Sequence, residues 1–189
     1  MRRCGLVRIL PIRFERNMLT VNEMSAEDVV KFLRLMEENG IEVHLDGGWG
    51  VDAVLGRQTR SHEDVDIAVQ HKDVPALRRL LNARGYCELP STDAKDFNFV
   101  LSDSHGRKID VHSYTFDKQG NHVYGIGYPI DSLTGTGMIN GHSVKCISVE
   151  WAVKFHSQYD PDETDFQDVR ALCARFDIPV PDLYKKFLR

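Results

Sequence analysis

The stretch HLDGGWGVDAVLGRQTRSHEDVDIAV, residues 44–69, decides how the chain is read. It leaves a short apolar run at Gly47 and Gly48, continues through a helical piece that stops at Gly56, and passes a basic turn. It closes on DVDIAV, where Val65, Ile67 and Val69 alternate with Asp64, Asp66 and Ala68. Such alternation marks a strand whose two faces meet different surroundings, and residues i and i+2 share a face, so Asp64 and Asp66 project together. Two carboxylates that close repel unless positive charge lies between them. An oxygen-rich pair of this kind suits Mg²⁺, which keeps several waters and takes one or two carboxylates together with substrate phosphates. D-x-D also occurs on solvated surfaces and in turns, so the pair needs support from elsewhere in the chain.

Support comes from Asp110, flanked by Ile109 and Val111 on a second apolar segment. Those neighbours point to the core, so Asp110 points to the other face. Asp is depleted in strands, and three on two apolar strands call for an explanation. If the strands are adjacent, Asp64, Asp66 and Asp110 converge as two-metal phosphoryl or nucleotidyl transfer requires. His112 shares the face of Asp110 and is a second candidate for general base.

Gly47 and Gly48 let backbone approach a phosphate closely at a helix start. They form neither a Walker A sequence nor G-x-G-x-x-G, and the plainer reading is a tight turn. Arg57, Arg60 and His62 precede the acidic pair, and Lys154 and His156 lie in a later helix. Each is a candidate for triphosphate charge or, more plainly, a surface group or a partner for a nearby acid. Asp52 is expected to cap or to pair with an arginine.

Outward from this stretch, Ser25 and Asp28 open a helix with Val29, Phe32, Leu33 and Met36 on one face, stopped at Gly40. Residues 41–45 read as a strand, 49–55 as a short helix, and 74–81 as a second long helix stopped at Gly85. Residues 86–89 and 97–101 read as strands, and the turn at 104–106 makes 97–101 and 108–114 a hairpin. Residues 123–128 are weakly strand-like. Asn140-Gly141 is the strongest hairpin signal, joining 137–139 to 144–147. Ser148 caps a helix through Trp151, Val153, Phe155 and Tyr159, and a last helix covers 164–176 before Pro179 and Pro181. The pattern is α+β: a mixed sheet packed by helices, with C-terminal helices.

The 189 residues suffice for a sizeable core, and the net charge of -4 argues against general nucleic-acid binding. Cys4, Cys87, Cys146 and Cys173 lie far apart without a C-x-x-C pair, so a reducing, cytoplasmic setting is expected. No apolar run reaches the length of a membrane span. The basic opening, residues 1–23, reads as a leader, or as sequence upstream of a start at Met18 or Met24.

Taken together, these segments resemble the nucleotidyltransferase superfamily typified by DNA polymerase beta, with its glycine pair, D-x-D and later third acid. LDGGWGVDAVLGRQTRSHEDVDI looks like the small, single-chain lincosamide nucleotidyltransferases and is also similar to the aminoglycoside 2″-adenylyltransferases. KIDVHSY at 108–114 and VKCISVEWAVKFHSQYDPDETDFQDV at 144–169 extend the likeness, the latter favouring the lincosamide group. Residues 91–96 and 115–138 match poorly. The resemblance implies a polymerase-beta-like fold with a core over 24–147 and a helical segment over 148–189 packed on it. It implies Mg²⁺ and ATP or another NTP, and transfer of the nucleoside monophosphate to an acceptor hydroxyl. Asp64, Asp66 and Asp110 would be the metal ligands, Asp110 also the first choice of base. Gly47 and Gly48 would line the triphosphate; Arg60, His62 and Lys154, from the reading of the residues themselves, are the expected cofactor-binding cations around the nucleotide. Where the superfamily often has Ser this chain has Gly48, so contact there is by backbone alone.

Three readings follow from the resemblance. The acceptor is a lincosamide, an aminoglycoside, or a partner protein or nucleotide as in minimal nucleotidyltransferases. A fourth, a binding module without turnover, is disfavoured because all three acids are present. A polycationic aminoglycoside calls for acids, and Asp93, Asp96, Asp160, Asp162, Glu163, Asp165 and Asp168 are candidates. A lincosamide calls for a more apolar groove, with Tyr124, Tyr128 and Trp151 as candidates. Exposed aromatics in the C-terminal helices are compatible with a homodimer.

Overall fold

The computed structural model describes residues 23–92 and 94–188; the expected leader, apart from Glu23, and the acid Asp93 lie outside these residues. Ser25 caps α1 (Ala26–Glu38), its Oγ accepting from the Asp28 amide. β1 (Val43–Leu45) leads through Asp46 into α2 (Gly47–Leu55), which begins two residues earlier than the sequence suggests. β2 (Asp64–Gln70) and α3 (Val74–Asn82) follow. β3 (Cys87–Glu88) is shorter than the apolar run around it implied, and lies exposed at one edge. β4 (Asn98–Ser102) and β5 (Lys108–Phe116) form the expected hairpin.

The weak strand at 123–128 is β6 (His122–Gly125), which ends where Gly125 takes φ 88°. β7 (Gly135–Ile139) and β8 (His142–Cys146) flank the Asn140-Gly141 turn, both turn residues at positive φ as that hairpin type requires. α4 (Val149–Phe155) stops short of Tyr159, and α5 (Glu163–Phe176) starts at a full capping box between Asp162 and Asp165.

The sheet runs β3-β4-β5-β2-β1-β8-β7, with β6 beside β5. β2 and β5 are parallel neighbours over seven residue pairs, Asp66 opposite Asp110. One face of this pair, Val65, Ile67, Val69, Ile109 and Val111, is buried in a core with α1 and α3. The opposite face divides. Its far part, with Ala68 and Tyr114, is buried in a second core with Val51 and the C-terminal helices through Val153, Phe166, Val169 and Leu172. Its near part carries Asp64, Asp66 and Asp110, each half-buried. The strands thus aim the acids into a recess whose neighbours are the start of α2 and the helices beyond. Among the described residues no helix is long and apolar enough to cross a membrane.

Candidate active site

Parallel pairing of β2 with β5 decides the geometry. Registered neighbours stand side by side, so Asp66 meets Asp110, Asp64 meets Lys108, and Ala68 meets His112. Asp66, Asp110 and His112 each bring a ligand atom to within 4.8 Å of the others. Asp64 shares the face one pleat away and stands outside that triplet. The carboxylates feel one another. Burial, then repulsion from Asp64, raises the Asp66 carboxyl to about 7, with Asp46 and Asp110 adding to it and His112 opposing. Burial and then Asp110 raise Asp64.

Asp110 Oδ1 is buried without a hydrogen-bond partner, and His112 Nε2 stands 3.4 Å from it. Burial disfavours the imidazolium, but Asp110 and then Asp66 and Asp46 outweigh burial and raise His112. A recess of unbalanced oxygens with an orphaned buried acceptor fits a hard divalent cation. The oxygens of Asp64, Asp66 and Asp110 suit Mg²⁺; imidazole is a poorer ligand for it.

The glycine pair has reasons beyond phosphate. Gly47 holds φ 52°, and a Cβ there would overlap the Asp66 carboxylate. A Cβ on Gly48 would come within 2.5 Å of Arg60 Nη2 and His62 Nδ1. The turn is therefore pressed between the acids on one side and the basic loop on the other. The Gly47 amide, first of α2, is already satisfied: it donates to Asp46 Oδ1 at 2.8 Å.

Arg60 and His62 are both held by acids. Arg60 Nη2 donates to Asp168 Oδ2 at 2.9 Å, tying the loop to α5 across 108 residues of sequence. Asp168 is 3% exposed, the guanidinium side chain 34%. Burial works against the Arg60 charge, but Asp168 outweighs burial and the pKa is raised. His62 is buried, its Nε2 2.6 Å from Asp52 Oδ2 and its ring 4.6 Å from that of Trp49. Asp52 also accepts from the Thr59 amide and hydroxyl, so it pairs with a histidine rather than an arginine. Lys154 is exposed on α4 with Nζ 4.0 Å over the Trp151 ring, which associates it with aromatic groups rather than with the acids. His156 is buried and bonded through Nδ1 to the Ala152 carbonyl.

One group at the recess, Asp46, escaped the sequence reading, and another, Tyr128, was read only as a groove aromatic and not as part of the polar network. Asp46 caps α2, and an aspartate directly before a glycine pair is the signal that could have revealed it. Tyr128 donates to Asp46 Oδ2 at 2.6 Å and lies 3.3 Å from His112 Nδ1. No local pattern marks Tyr128 as part of this network, because its partners are 82 and 16 residues away in sequence.

The two acceptor-side groupings come apart. Tyr128 is only 3% exposed and packs with Tyr114 and Phe155, which in turn meets Trp151. Tyr124 instead meets His71 and Phe97 edge-on and donates to Asp96. The acids of the last segment are engaged as well. Asp162 and Asp165 form the cap of α5, Asp160 pairs with Lys186, Glu163 accepts from Gln167, and Asp168 holds Arg60.

The sheet, the glycine turn at a helix start and the facing acids define a nucleotidyltransferase of the polymerase-beta-like fold. The aminoglycoside-2″-adenylyltransferase family model matches residues 28–172, and the chain belongs to that family. It is 28% identical over 158 residues to a lincosamide resistance protein of Staphylococcus haemolyticus, covering 80% of this chain and 96% of that one. The crystal structure of the lincosamide antibiotic adenylyltransferase LnuA, lincomycin-bound, superposes with a TM-score of 0.71 at 26% identity, over 84% of this chain and 100% of that one. ANT(2″)-Ia in complex with adenylyl-2″-tobramycin shares the fold, with a TM-score of 0.68 at 21% identity over 86% and 96% of the two chains.

Proposed function

We propose that the protein transfers AMP from ATP, with Mg²⁺, to a hydroxyl group of a lincosamide antibiotic and so confers resistance. The observation that carries the chemistry is the pairing of Asp66 with Asp110 on adjacent parallel strands, with Asp110 Oδ1 buried and without a hydrogen bond. Asp64, Asp66 and Asp110 would hold the cation. When bound, Mg²⁺ supplies positive charge that offsets the phosphate oxygens and lowers the pKa of the acceptor hydroxyl. Asp110 takes the hydroxyl proton as the oxygen attacks the α-phosphorus in line and pyrophosphate leaves. His112, facing Asp110 through Nε2 and Tyr128 through Nδ1, acts as its polar neighbour. Gly47 and Gly48 line the triphosphate through backbone, and Arg60 beside Gly48 contributes positive charge. His62 backs the turn, and Lys154 stands as a further cation for the nucleotide's surroundings.

Two observations support a lincosamide over an aminoglycoside. Relatives of both kinds exist, but of the described acids that would receive a polycation, Asp162 and Asp165 cap a helix, Asp160 and Asp168 pair with bases of the chain, and Asp96 and Glu163 accept hydrogen bonds from Tyr124 and Gln167. The likeness to the lincosamide resistance protein also spans nearly all of that relative. The alternatives are an aminoglycoside 2″-hydroxyl, which the family description favours, and a partner protein.

Incubation with Mg²⁺, labelled ATP and a panel of acceptors tests the proposal. Pyrophosphate release that requires lincomycin or clindamycin is expected, and release that requires tobramycin instead overturns the acceptor assignment. Label that ends on protein points to the partner-protein reading. Asp64→Asn and Asp66→Asn should each abolish transfer while keeping the fold, and wild-type turnover by either removes the metal-site assignment.

A further inference from the structure

Tyr128 sits where the nucleotide side and the acceptor side of the recess meet. Its hydroxyl is the donor to Asp46 Oδ2 at 2.6 Å, and the other oxygen of Asp46 takes the Gly47 amide at 2.8 Å. The Asp46 amide in turn donates to the Asp66 carbonyl at 3.0 Å. One carboxylate therefore fixes the start of the glycine turn, and one phenol fixes that carboxylate. Tyr128 itself is 3% exposed and wedged between Tyr114 of β5 and Phe155 of α4. It cannot swing away without disturbing both rings, so the hydroxyl is delivered at a set position.

The clamp has a clear electrostatic need. Asp46 stands close enough to Asp66 to add to its repulsion, so an Asp46 carboxylate left with only the Gly47 amide as donor would be pushed from the position in which it caps the turn. A hydrogen bond to a charged group contributes more than one between neutral groups. The same hydroxyl lies 3.3 Å from His112 Nδ1, which faces Asp110. The polar chain thus runs from the glycine turn through Asp46, Tyr128 and His112 to the third acid.

We infer that Tyr128 is a positioning residue: through Asp46 it holds the Gly47–Gly48 turn in the shape that receives the triphosphate. The inference rests on the nucleotidyl-transfer reading above and assigns to that site a part supplied by the acceptor-side segment. Its action runs through Asp46, so it governs nucleotide handling and leaves acceptor binding alone.

The test compares wild type, Tyr128→Phe, Asp46→Asn and the double variant. Removing only the hydroxyl should weaken Mg·ATP binding roughly tenfold, the scale of a hydrogen bond to a charged group. In steady state the KM for ATP should rise and kcat fall with the KM for the acceptor unchanged. Amide exchange should quicken at Gly47 to Gly50 and not across the core. The double variant should bind ATP no worse than Asp46→Asn alone, since the hydroxyl acts through that carboxylate.

Unchanged ATP affinity in Tyr128→Phe overturns the inference, whatever happens to exchange at the turn. So does a general loss of stability with exchange quickened everywhere and ATP affinity kept, which is the signature of a packing role. Fully additive losses in the double variant also overturn it. If the wild type binds Mg·ATP but modifies no antibiotic, only the acceptor assignment fails, and the titrations still decide the clamp.

Discussion

Replacing Asp66 by asparagine should make the protein more stable and inactive at once, in a manner set by pH. Asp66 lies on β2 beside Asp110 and one pleat from Asp64, and its carboxyl is raised from an ordinary 3.8 to about 7 by burial and by its acidic neighbours. A carboxyl with a raised folded-state pKa binds a proton more tightly in the native chain than in the unfolded one. Between those two values the native state holds the extra proton, so stability falls as pH rises across that window and the full deficit is present above it. At about 1.36 kcal/mol for each tenfold difference in proton affinity, the deficit approaches about 4 kcal/mol at pH 8 and shrinks to about 1 kcal/mol at pH 4.5. For a chain of this size a gain of that order raises the melting temperature by about 8–16 °C.

The assay is urea unfolding of wild type and Asp66→Asn in EDTA at pH 4.5 and pH 8, followed by a repeat with Mg²⁺. The variant should unfold at higher urea at pH 8, with the gap closing toward pH 4.5. Other groups are shifted on folding as well, His44 lowered by burial and His112 raised by its acidic neighbours against burial, so the difference between the two proteins is the quantity to follow. Mg²⁺ should stabilise wild type more than the variant, because a cation between the acids removes a repulsion that the uncharged amide has already removed. A pH-independent gap, or a variant less stable at pH 8, would refute the claim that the acids are held together against their own charge.

Gly48→Ala should lower stability by about 1–3 kcal/mol, the usual range for overpacking, and raise the KM for ATP. Arg60 can bend away from the new methyl, but the His62 ring is fixed between Asp52 and Trp49; wild-type melting and kinetics together would contradict this. Arg60→Ala leaves the buried Asp168 carboxylate without its partner and should cost about 1–3 kcal/mol, allowing for the partly exposed guanidinium. Adding Asp168→Asn should recover part of that loss in thermal melts, and a further drop instead would show that the pair is not the cause. If the acceptor is a lincosamide with a single basic amine, its KM should change less than about threefold between roughly 50 and 300 mM salt. A steep rise would indicate a polycation.

The elements that carry the chemistry were legible because their signals are local. DVDIAV and KIDVH alternate cleanly, and Asn140-Gly141 names its own turn. The parallel neighbourhood of β2 and β5, which turns three scattered aspartates into a site, was conditional in the sequence: alternation states which face a residue takes, not which strand lies beside it. The basic loop was harder. Arg60 and His62 look like triphosphate ligands from sequence spacing, yet their partners are Asp168 and Asp52, one of them 108 residues away. The short β6 was only weakly legible for a related reason, since Gly125 ends it and a bulge at Thr115 and Phe116 breaks the pairing pattern. Asp46 was the one missed group with a readable cue, as a cap directly before the glycines.

The proposed acceptor side was read least well because its candidate residues meet through long-range contacts between residues of ordinary appearance. Tyr128, Phe155 and Trp151 come from a loop and a seven-residue helix, and only packing shows that they form one row. The row begins at the hydroxyl that holds Asp46 and ends at the Trp151 ring under Lys154. Arg60 makes a second tie, from the basic loop to α5 through Asp168. The glycine turn is therefore held twice by parts of the chain that lie outside the strand pair carrying the acids. Under the nucleotidyl-transfer proposal, the C-terminal helices that cover one half of the sheet also support the proposed nucleotide side, α5 directly through Asp168 and α4 through the packing of Phe155 on Tyr128. Substitutions in α4 or α5 that loosen either tie should then act on the glycine turn without touching Asp64, Asp66 or Asp110.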